Sequence, residues 1–234
     1  MNTPRNLALF DLDHTLLPLD SDYQWADFLA RTGRAGDPIE AQRLNEELMN
    51  RYNEGLLTAE ESAEFMLGLL CKAANRKELA EWQAEFMREI IDPAILAPAV
   101  NLVKKHLQQG DLCAIVTATN EFVTTPIAKL FGIEHLIATV PEEEDGRYTG
   151  KIHGVPSFKE GKITRVDQWL HDLGLRREQF DRIWFYSDSP NDLPLMEQVS
   201  DPVATNPSEA LRRIAEERNW EILDLFSLML DAKS

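Results

Sequence analysis

Short apolar runs alternate with helical patterns along most of this 234-residue chain, which limits the folds open to it. The runs have the length of buried strands and are Leu7–Phe10, Leu112–Val116, Leu136–Val140, Ile183–Tyr186 and Pro202–Thr205. Between them lie patterns with the apolar spacing of helices, namely Leu96–Gln109, Glu121–Phe131, Ile163–Leu173 and Ser208–Arg218. Strands that alternate with helices predict an α/β fold, in which a mainly parallel sheet is covered on both faces.

The stretch from Leu19 to Ile91 interrupts this alternation because it holds several helix starts and no convincing strand. Thr58 and Asn75 each precede a glutamate by three residues, which fits the capping-box pattern. We therefore expect a helical domain over residues 19–92, inserted into an α/β domain of residues 1–18 and 93–234. A second irregularity, the turn signal near Gly146, predicts a β-hairpin.

The composition excludes several classes of partner. Lys and Arg total 24 against 40 Asp and Glu, and the net charge of −16 disfavours binding to nucleic acid or to anionic membranes. Without a membrane-spanning apolar stretch or a secretory signal, the expected location is the cytoplasm. Cys71 and Cys113 suit two reduced, buried thiols, and no histidine pair has the spacing of a zinc site. The sequence does not set the oligomeric state.

Polar residues follow three of the predicted strands at the point where each strand ends. Asp11-Leu-Asp13-His-Thr15 follows the first, Thr117 the second, and Asp188 to Asp192 the fourth. Ligands of open parallel sheets bind beyond the carboxyl ends of the strands, so these groups should share one edge. The four aspartates would repel one another there unless a hard cation such as Mg²⁺ lay among them. Taken singly, each could instead be a helix cap.

The Asp-x-Asp-x-Thr run after an N-terminal strand, together with a late Asp-x-x-x-Asp, resembles the haloacid dehalogenase-like hydrolase superfamily. The match follows most of the chain, with Asp11–Thr15, Thr117, a lysine near residue 162 and Asp188–Asp192 in order. The helical insertion is similar to the cap of the phosphoserine phosphatase-like branch. The resemblance implies a Rossmann-like, doubly wound, mainly parallel sheet with an all-helical cap, and a Mg²⁺-dependent phosphomonoester hydrolase.

The types and spacing of these residues suggest a mechanism through an aspartyl-phosphate. Asp11 would attack phosphorus, while Lys162 and the Thr117 hydroxyl offset charge on the phosphate oxygens. Asp13 would protonate the leaving oxygen and later activate water. Lys159, near the start of the same helix, is the substitute for Lys162.

The resemblance adds a metal set and a phosphate site. It implies that Asp11, the backbone carbonyl of Asp13 and Asp188 hold Mg²⁺, with Asp192 close by or acting through water. It also implies that Thr15 orients the loop. The implied phosphate-binding residues are Thr117, Ala118, Lys162 and Asn191.

The substrate is expected to be a small phosphate ester, with an amine as a candidate feature. Asp20 lies where phosphoserine-specific relatives place an acidic residue for the substrate ammonium, although Asp20, Ser21 or Asp22 could equally cap the first cap helix. A basic partner for a substrate carboxylate would have to be Arg51, whose surroundings do not match the family pattern. Phosphoserine, histidinol phosphate and phosphoethanolamine are the candidates.

Two other functions compete with hydrolysis. A phosphotransferase or phosphomutase would pass the phosphoryl group to an alcohol, and the early motifs do not distinguish these enzymes from a hydrolase. A non-catalytic binding module would keep the fold but lose the motif, whereas the motif residues are all present in this chain.

Overall fold

The structure, a computed structural model, describes residues 5–53, 56 and 58–226. Within them, seven strands form one sheet in the order β4-β3-β2-β1-β5-β6-β7, parallel except for the antiparallel pair β3–β4. The strands are β1 Asn6–Phe10, β2 Leu112–Asn120, β3 His135–Glu144, β4 Arg147–His153, β5 Arg182–Ser187, β6 Asp201–Thr205 and β7 Glu221–Leu223. The predicted mainly parallel sheet and the hairpin are confirmed.

Helices cover both faces of the sheet and also follow β1 as an inserted group. The α-helices of the described chain are α1 Ser21–Arg31, α2 Pro38–Asn53, α3 Ala59–Leu70, α4 Arg76–Phe86, α5 Ala97–Gln109, α6 Glu121–Phe131, α7 Glu160–Asp172, α8 Leu193–Met196 and α9 Glu209–Arg218. Apolar residues of α5 and α6 pack on one face, and those of α7, α8 and α9 pack on the other. Strand β1 is buried and occupies the middle of the sheet, so its carboxyl end lies between those of β2 and β5.

Helices α1 to α4 form the insertion, which lies between β1 and α5. Their buried Trp25, Phe28 and Phe86 belong to the same apolar cluster as Phe10 of β1. The chain returns to the α/β part through a π-helical turn at Met87–Ile91 and a 3-10 turn. The inserted all-helical cap is therefore confirmed as part of the fold, while the boundaries at residues 18–19 and 92–93 stay a prediction.

Local details correct two expectations. Cys113 is buried as expected, but Cys71 is exposed because it ends α3 at the surface, where its thiol contacts the Tyr148 carbonyl of the hairpin. The capping box at Thr58 is complete, whereas Asn75 caps α4 and Glu78 accepts from the Ala74 amide instead.

None of the helices in the described residues combines the length and the hydropathy that a membrane crossing requires.

Candidate active site

A cavity of about 670 Å³ lies between the carboxyl end of the sheet and the helices α1, α2 and α3. Its lining contains the predicted Asp11, Asp13, Asp188 and Asp192, together with Asp20 and Asp22. The basic side chains among the described lining residues are those of Lys162 and His14. The structure thus brings the four predicted carboxylates into one strongly acidic cavity, where a bound cation would relieve their repulsion.

Asp11 lines this cavity and comes directly after the buried strand β1. Its Oδ1 accepts a hydrogen bond of 2.8 Å from Lys162 Nζ, and the same ammonium donates to Asp192 Oδ2 at 2.7 Å. Ser187 Oγ also donates to Asp192 Oδ2, at 2.7 Å. Burial opposes the charged form of Lys162, but the attraction of Asp11 and Asp192 outweighs it and raises the lysine pKa. Lys162 is therefore a charged group fixed between two carboxylates.

The side chain of Asp13 is held by one donor from the cap helix α1 and one from strand β2. Its Oδ1 accepts from the Ser21 backbone amide at 2.8 Å, and its Oδ2 accepts from Thr119 Oγ1 at 2.7 Å. Burial, followed by the charge of Asp20, raises the Asp13 pKa to about 6, while both hydrogen bonds act in the opposite direction. A carboxyl group with a pKa near neutrality can both donate and accept a proton under ordinary conditions.

Asp11 and Asp188 carry oxygens suited to a divalent cation. Thr15 Oγ1 lies 3.1 Å from Asp11 Oδ2 and 3.4 Å from Asp188 Oδ1, so both carboxylates meet at one hydroxyl group. A hydroxyl has a single proton and cannot satisfy both. Burial, followed by the charges of Asp11 and Asp192, raises the Asp188 pKa to about 8. The carboxylate oxygens of Asp11 and Asp188 are hard ligands with too little positive charge near them, which suits binding of Mg²⁺.

Within the described residues, no three His, Cys, Asp or Glu side chains are grouped as ligands of a single ion. The predicted set does not need three, because Asp13 is expected to contribute its backbone carbonyl. Its carboxylate instead faces Ser21 and Thr119, and the carboxylate of Asp192 faces Lys162. Asp11 and Asp188 are thus the carboxylates whose contacts suit Mg²⁺, while ligation by the Asp13 carbonyl and direct ligation by Asp192 stay predictions.

The predicted phosphate-binding residues line the same cavity. Thr117 is buried and its hydroxyl accepts from the Thr119 amide at 3.2 Å, which leaves its own proton to be donated. Ala118 and Asn191 also contribute to the lining. Lys159, the substitute for Lys162, is exposed at the start of α7 and does not belong to the described lining.

Asp20 and Asp22 enter the cavity from the start of α1. Asp20 caps this helix by accepting from the Tyr23 amide at 2.8 Å, one of the two interpretations that the sequence left open. Asp22 Oδ1 accepts from Asn120 Nδ2 at 3.1 Å, and burial, followed by the charges of Asp20 and Asp13, raises the Asp22 pKa. Arg51 is exposed on α2 and is not among the described lining residues.

Sequence reasoning missed three residues that hold this site together. Thr119 orients Asp13, Ser187 donates to Asp192, and Asn206 Nδ2 donates to the carbonyls of His14 and Thr15 at 3.1 Å each. Thr119 could have been predicted, because it follows Thr117 by two residues and such residues lie on the same face of a strand. Asn206 follows β6 directly and could have been found by inspecting that strand end.

This chain matches known proteins over most of its length. A model of the haloacid dehalogenase-like hydrolase family matches residues 8–197. A histidinol-phosphatase of Neisseria meningitidis serogroup C (strain 8013) is 43% identical over 221 residues, which are 94% of this chain and 99% of that relative.

Solved structures share the fold. A Bordetella pertussis Tohama I protein of unknown function matches with a TM-score of 0.93 and 64% identity, over 96% of this chain and 100% of that one. A substrate-bound phosphoserine phosphatase complex matches with a TM-score of 0.65 and 16% identity, over 95% of this chain and 94% of that one. At such low identity the second likeness concerns the fold alone.

Proposed function

We propose how this chain, which belongs to the haloacid dehalogenase-like hydrolases and is a phosphatase of that family, acts on its substrates. It hydrolyses phosphate monoesters of small amine-bearing metabolites with Mg²⁺, and the reaction passes through an aspartyl-phosphate on Asp11. The observation that carries the proposal is the buried contact of Lys162 Nζ with Asp11 Oδ1, at 2.8 Å, on the floor of an acidic cavity. A phosphate entering that cavity would meet a fixed carboxylate and a fixed ammonium together.

In the first half-reaction, a carboxylate oxygen of Asp11 forms a bond to phosphorus while the bond from phosphorus to the ester oxygen breaks. Lys162 and the Thr117 hydroxyl stabilise the charge on the remaining phosphate oxygens. Asp13 donates its proton to the departing alcohol oxygen. Its pKa of about 6 and its two orienting hydrogen bonds support this role.

In the second half-reaction, water takes the place of the alcohol and Asp13 changes from acid to base. Asp13, now a carboxylate, removes a proton from the water as its oxygen attacks phosphorus. The bond from phosphorus to the Asp11 oxygen then breaks, which releases inorganic phosphate and restores the free carboxylate. Helices α1, α2 and α3 contribute to the lining of the cavity and would reduce its contact with bulk water during the reaction.

Mg²⁺, when bound by Asp11, Asp188 and the Asp13 carbonyl, would neutralise phosphate charge and offset the repulsion of these carboxylates. Thr15, which contacts both Asp11 and Asp188, would hold the two side chains in place. The Lys162 ammonium keeps Asp192 in its own hydrogen-bonded pair.

The test is a screen of phosphate esters with Mg²⁺, including p-nitrophenyl phosphate, histidinol phosphate, phosphoethanolamine and phosphoserine. We expect release of inorganic phosphate at a rate that does not depend on added acceptor alcohols. Phosphate transfer that requires an acceptor would instead identify a phosphotransferase or mutase. Failure to release phosphate from every ester would refute the proposal.

A further inference from the structure

The part of the cavity that lies next to Asp13 must contact the leaving alcohol, because Asp13 is the residue proposed to protonate its oxygen. This region is acidic, since Asp20 and Asp22 line it from the start of α1. Among the described lining residues, the basic side chains are Lys162, which already contacts two carboxylates, and His14. An alcohol that carries its own carboxylate would lie next to these acidic side chains, and the part of the lining that the structure describes has no arginine to pair with it.

The two acidic residues of α1 differ in what already binds them. Asp20 accepts the Tyr23 amide and serves as the helix cap, so its position is set by the fold. Asp22 is not a cap; its Oδ1 accepts from Asn120, whose own side chain is fixed because it caps α6 through the Val123 amide. Asp22 is therefore oriented at the cavity by a residue of the α/β part.

Asp13 and Asp22 are linked through consecutive residues of β2. Thr119 donates to Asp13 and Asn120 donates to Asp22, so the proton donor and Asp22 are oriented by one short segment. A substrate whose ester oxygen faces Asp13 would thus present the adjacent part of its alcohol to Asp22. The Neisseria relative offers an independent indication, because histidinol carries an ammonium and an imidazole and no carboxylate.

We propose that Asp22 determines specificity by binding a cationic group of the leaving alcohol, and that the substrates are phosphate esters of amino alcohols without a carboxylate. This inference rests on the proposed phosphatase function and assigns the recognition of the cation to Asp22 in addition to the capping residue Asp20. The apolar lining from Tyr23, Met66 and Phe158 would cover the carbon skeleton of such an alcohol.

Steady-state kinetics of the full chain with Mg²⁺ would test this. The wild type should prefer histidinol phosphate or phosphoethanolamine over phosphoserine by at least about tenfold in kcat/KM, since an unpaired carboxylate would face like charges. Asp22→Asn should raise KM for the preferred cationic ester by at least about tenfold, because a desolvated charge pair is lost. The same variant should lose clearly less kcat/KM on p-nitrophenyl phosphate, which has no cation, than on the preferred cationic ester.

Asp27→Asn is the matched control, because Asp27 lies on the same helix and outside the described lining of the cavity. It should leave KM for both kinds of ester unchanged. Asp20→Asn, which keeps a capping side chain, should raise KM for the cationic ester less than Asp22→Asn does.

Inhibition by the free alcohol gives a second measurement that does not depend on turnover of the cationic ester. Histidinol should inhibit wild-type hydrolysis of p-nitrophenyl phosphate, and Asp22→Asn should weaken that inhibition by at least about tenfold. The inference would be overturned, with phosphatase activity intact, if Asp22→Asn lost kcat/KM equally on cationic and uncharged esters or left histidinol inhibition unchanged. A wild-type preference for phosphoserine would overturn it as well. A wild type that hydrolyses no ester would overturn both the inference and the proposed function.

Discussion

Replacing Lys162 by methionine tests whether its ammonium neutralises a buried pair of carboxylates. Lys162 Nζ lies 2.8 Å from Asp11 Oδ1 and 2.7 Å from Asp192 Oδ2, and the lysine is 2% exposed. At an effective dielectric constant of ~20, each contact is worth about 6 kcal/mol before desolvation is subtracted. Methionine keeps much of the shape of the side chain but leaves the two carboxylates without their cation.

We expect K162M to lower the free energy of unfolding by about 3 to 5 kcal/mol near neutral pH, measured with a chelator present. The loss of stability is limited because Asp11 or Asp192, once it lacks the lysine, can take up a proton and become neutral. From the ordinary aspartate pKa of 3.8, protonation near pH 7 costs about 4 kcal/mol.

The variant also predicts a pH dependence. Without the lysine, the folded-state pKa of Asp11 or Asp192 would lie further above that of the unfolded chain, so the folded state would take up the proton first as the pH falls. Stability of K162M therefore rises relative to the wild type as the pH decreases. The difference in unfolding free energy between the wild type and K162M should shrink by roughly 1 to 3 kcal/mol between about pH 7 and about pH 5.

Denaturant unfolding followed by tryptophan fluorescence would give these free energies. Lys159→Met is the matched control, because Lys159 is exposed at the start of the same helix, and it should change stability by less than about 0.5 kcal/mol. The ion pairing of Lys162 with Asp11 and Asp192 would be refuted if K162M lowered the unfolding free energy by less than about 1 kcal/mol. It would also be refuted if the difference from the wild type did not shrink at lower pH.

Thr119→Val removes the hydroxyl that donates to Asp13 Oδ2, so kcat on p-nitrophenyl phosphate should fall by about 10- to 100-fold, and an unchanged kcat would contradict the orienting role. A chelator should abolish phosphate release and added Mg²⁺ should restore it, whereas full activity in the chelator would exclude the proposed metal role. Burial lowers the pKa of His106 despite its 2.8 Å contact with Asp111, so an NMR titration should give a midpoint below the ~6.5 of an exposed histidine. Since the unfolded chain then takes up the proton first, this residue reduces stability as the pH falls below about 6.5, and a midpoint above that value would contradict the assignment.

Strands buried on both faces could be predicted from the sequence because they are apolar at nearly every position. Strand β1 is the clearest case, since its last four residues are fully buried and Asp11 ends the run. Strand β7 was missed because it spans only Glu221–Leu223 and offers no recognisable pattern. The ends of α5 and α6 could also be predicted, because Gly110 and Gly132 follow these helices and glycine readily adopts the left-handed backbone conformation found there.

The grouping of the acidic residues could also be predicted, because the carboxyl ends of parallel strands share one edge. What the sequence could not provide was the set of hydrogen bonds between distant segments. Asp20 has the same local pattern whether it caps α1 or only faces a ligand, and the structure shows that it caps. The contact between Asp22 and Asn120 joins residues 98 positions apart, which no local pattern reports.

The most direct test of the mechanism is to trap the phosphorylated enzyme. Rapid acid quenching during turnover with Mg²⁺, followed by mass spectrometry of peptides, should locate one phosphoryl group on the peptide that contains Asp11, and borohydride reduction should place it on Asp11 itself. Asp11→Asn should yield no phosphorylated peptide and no turnover. A phosphoryl group found on Asp13 or elsewhere, or sustained turnover by Asp11→Asn, would contradict the account.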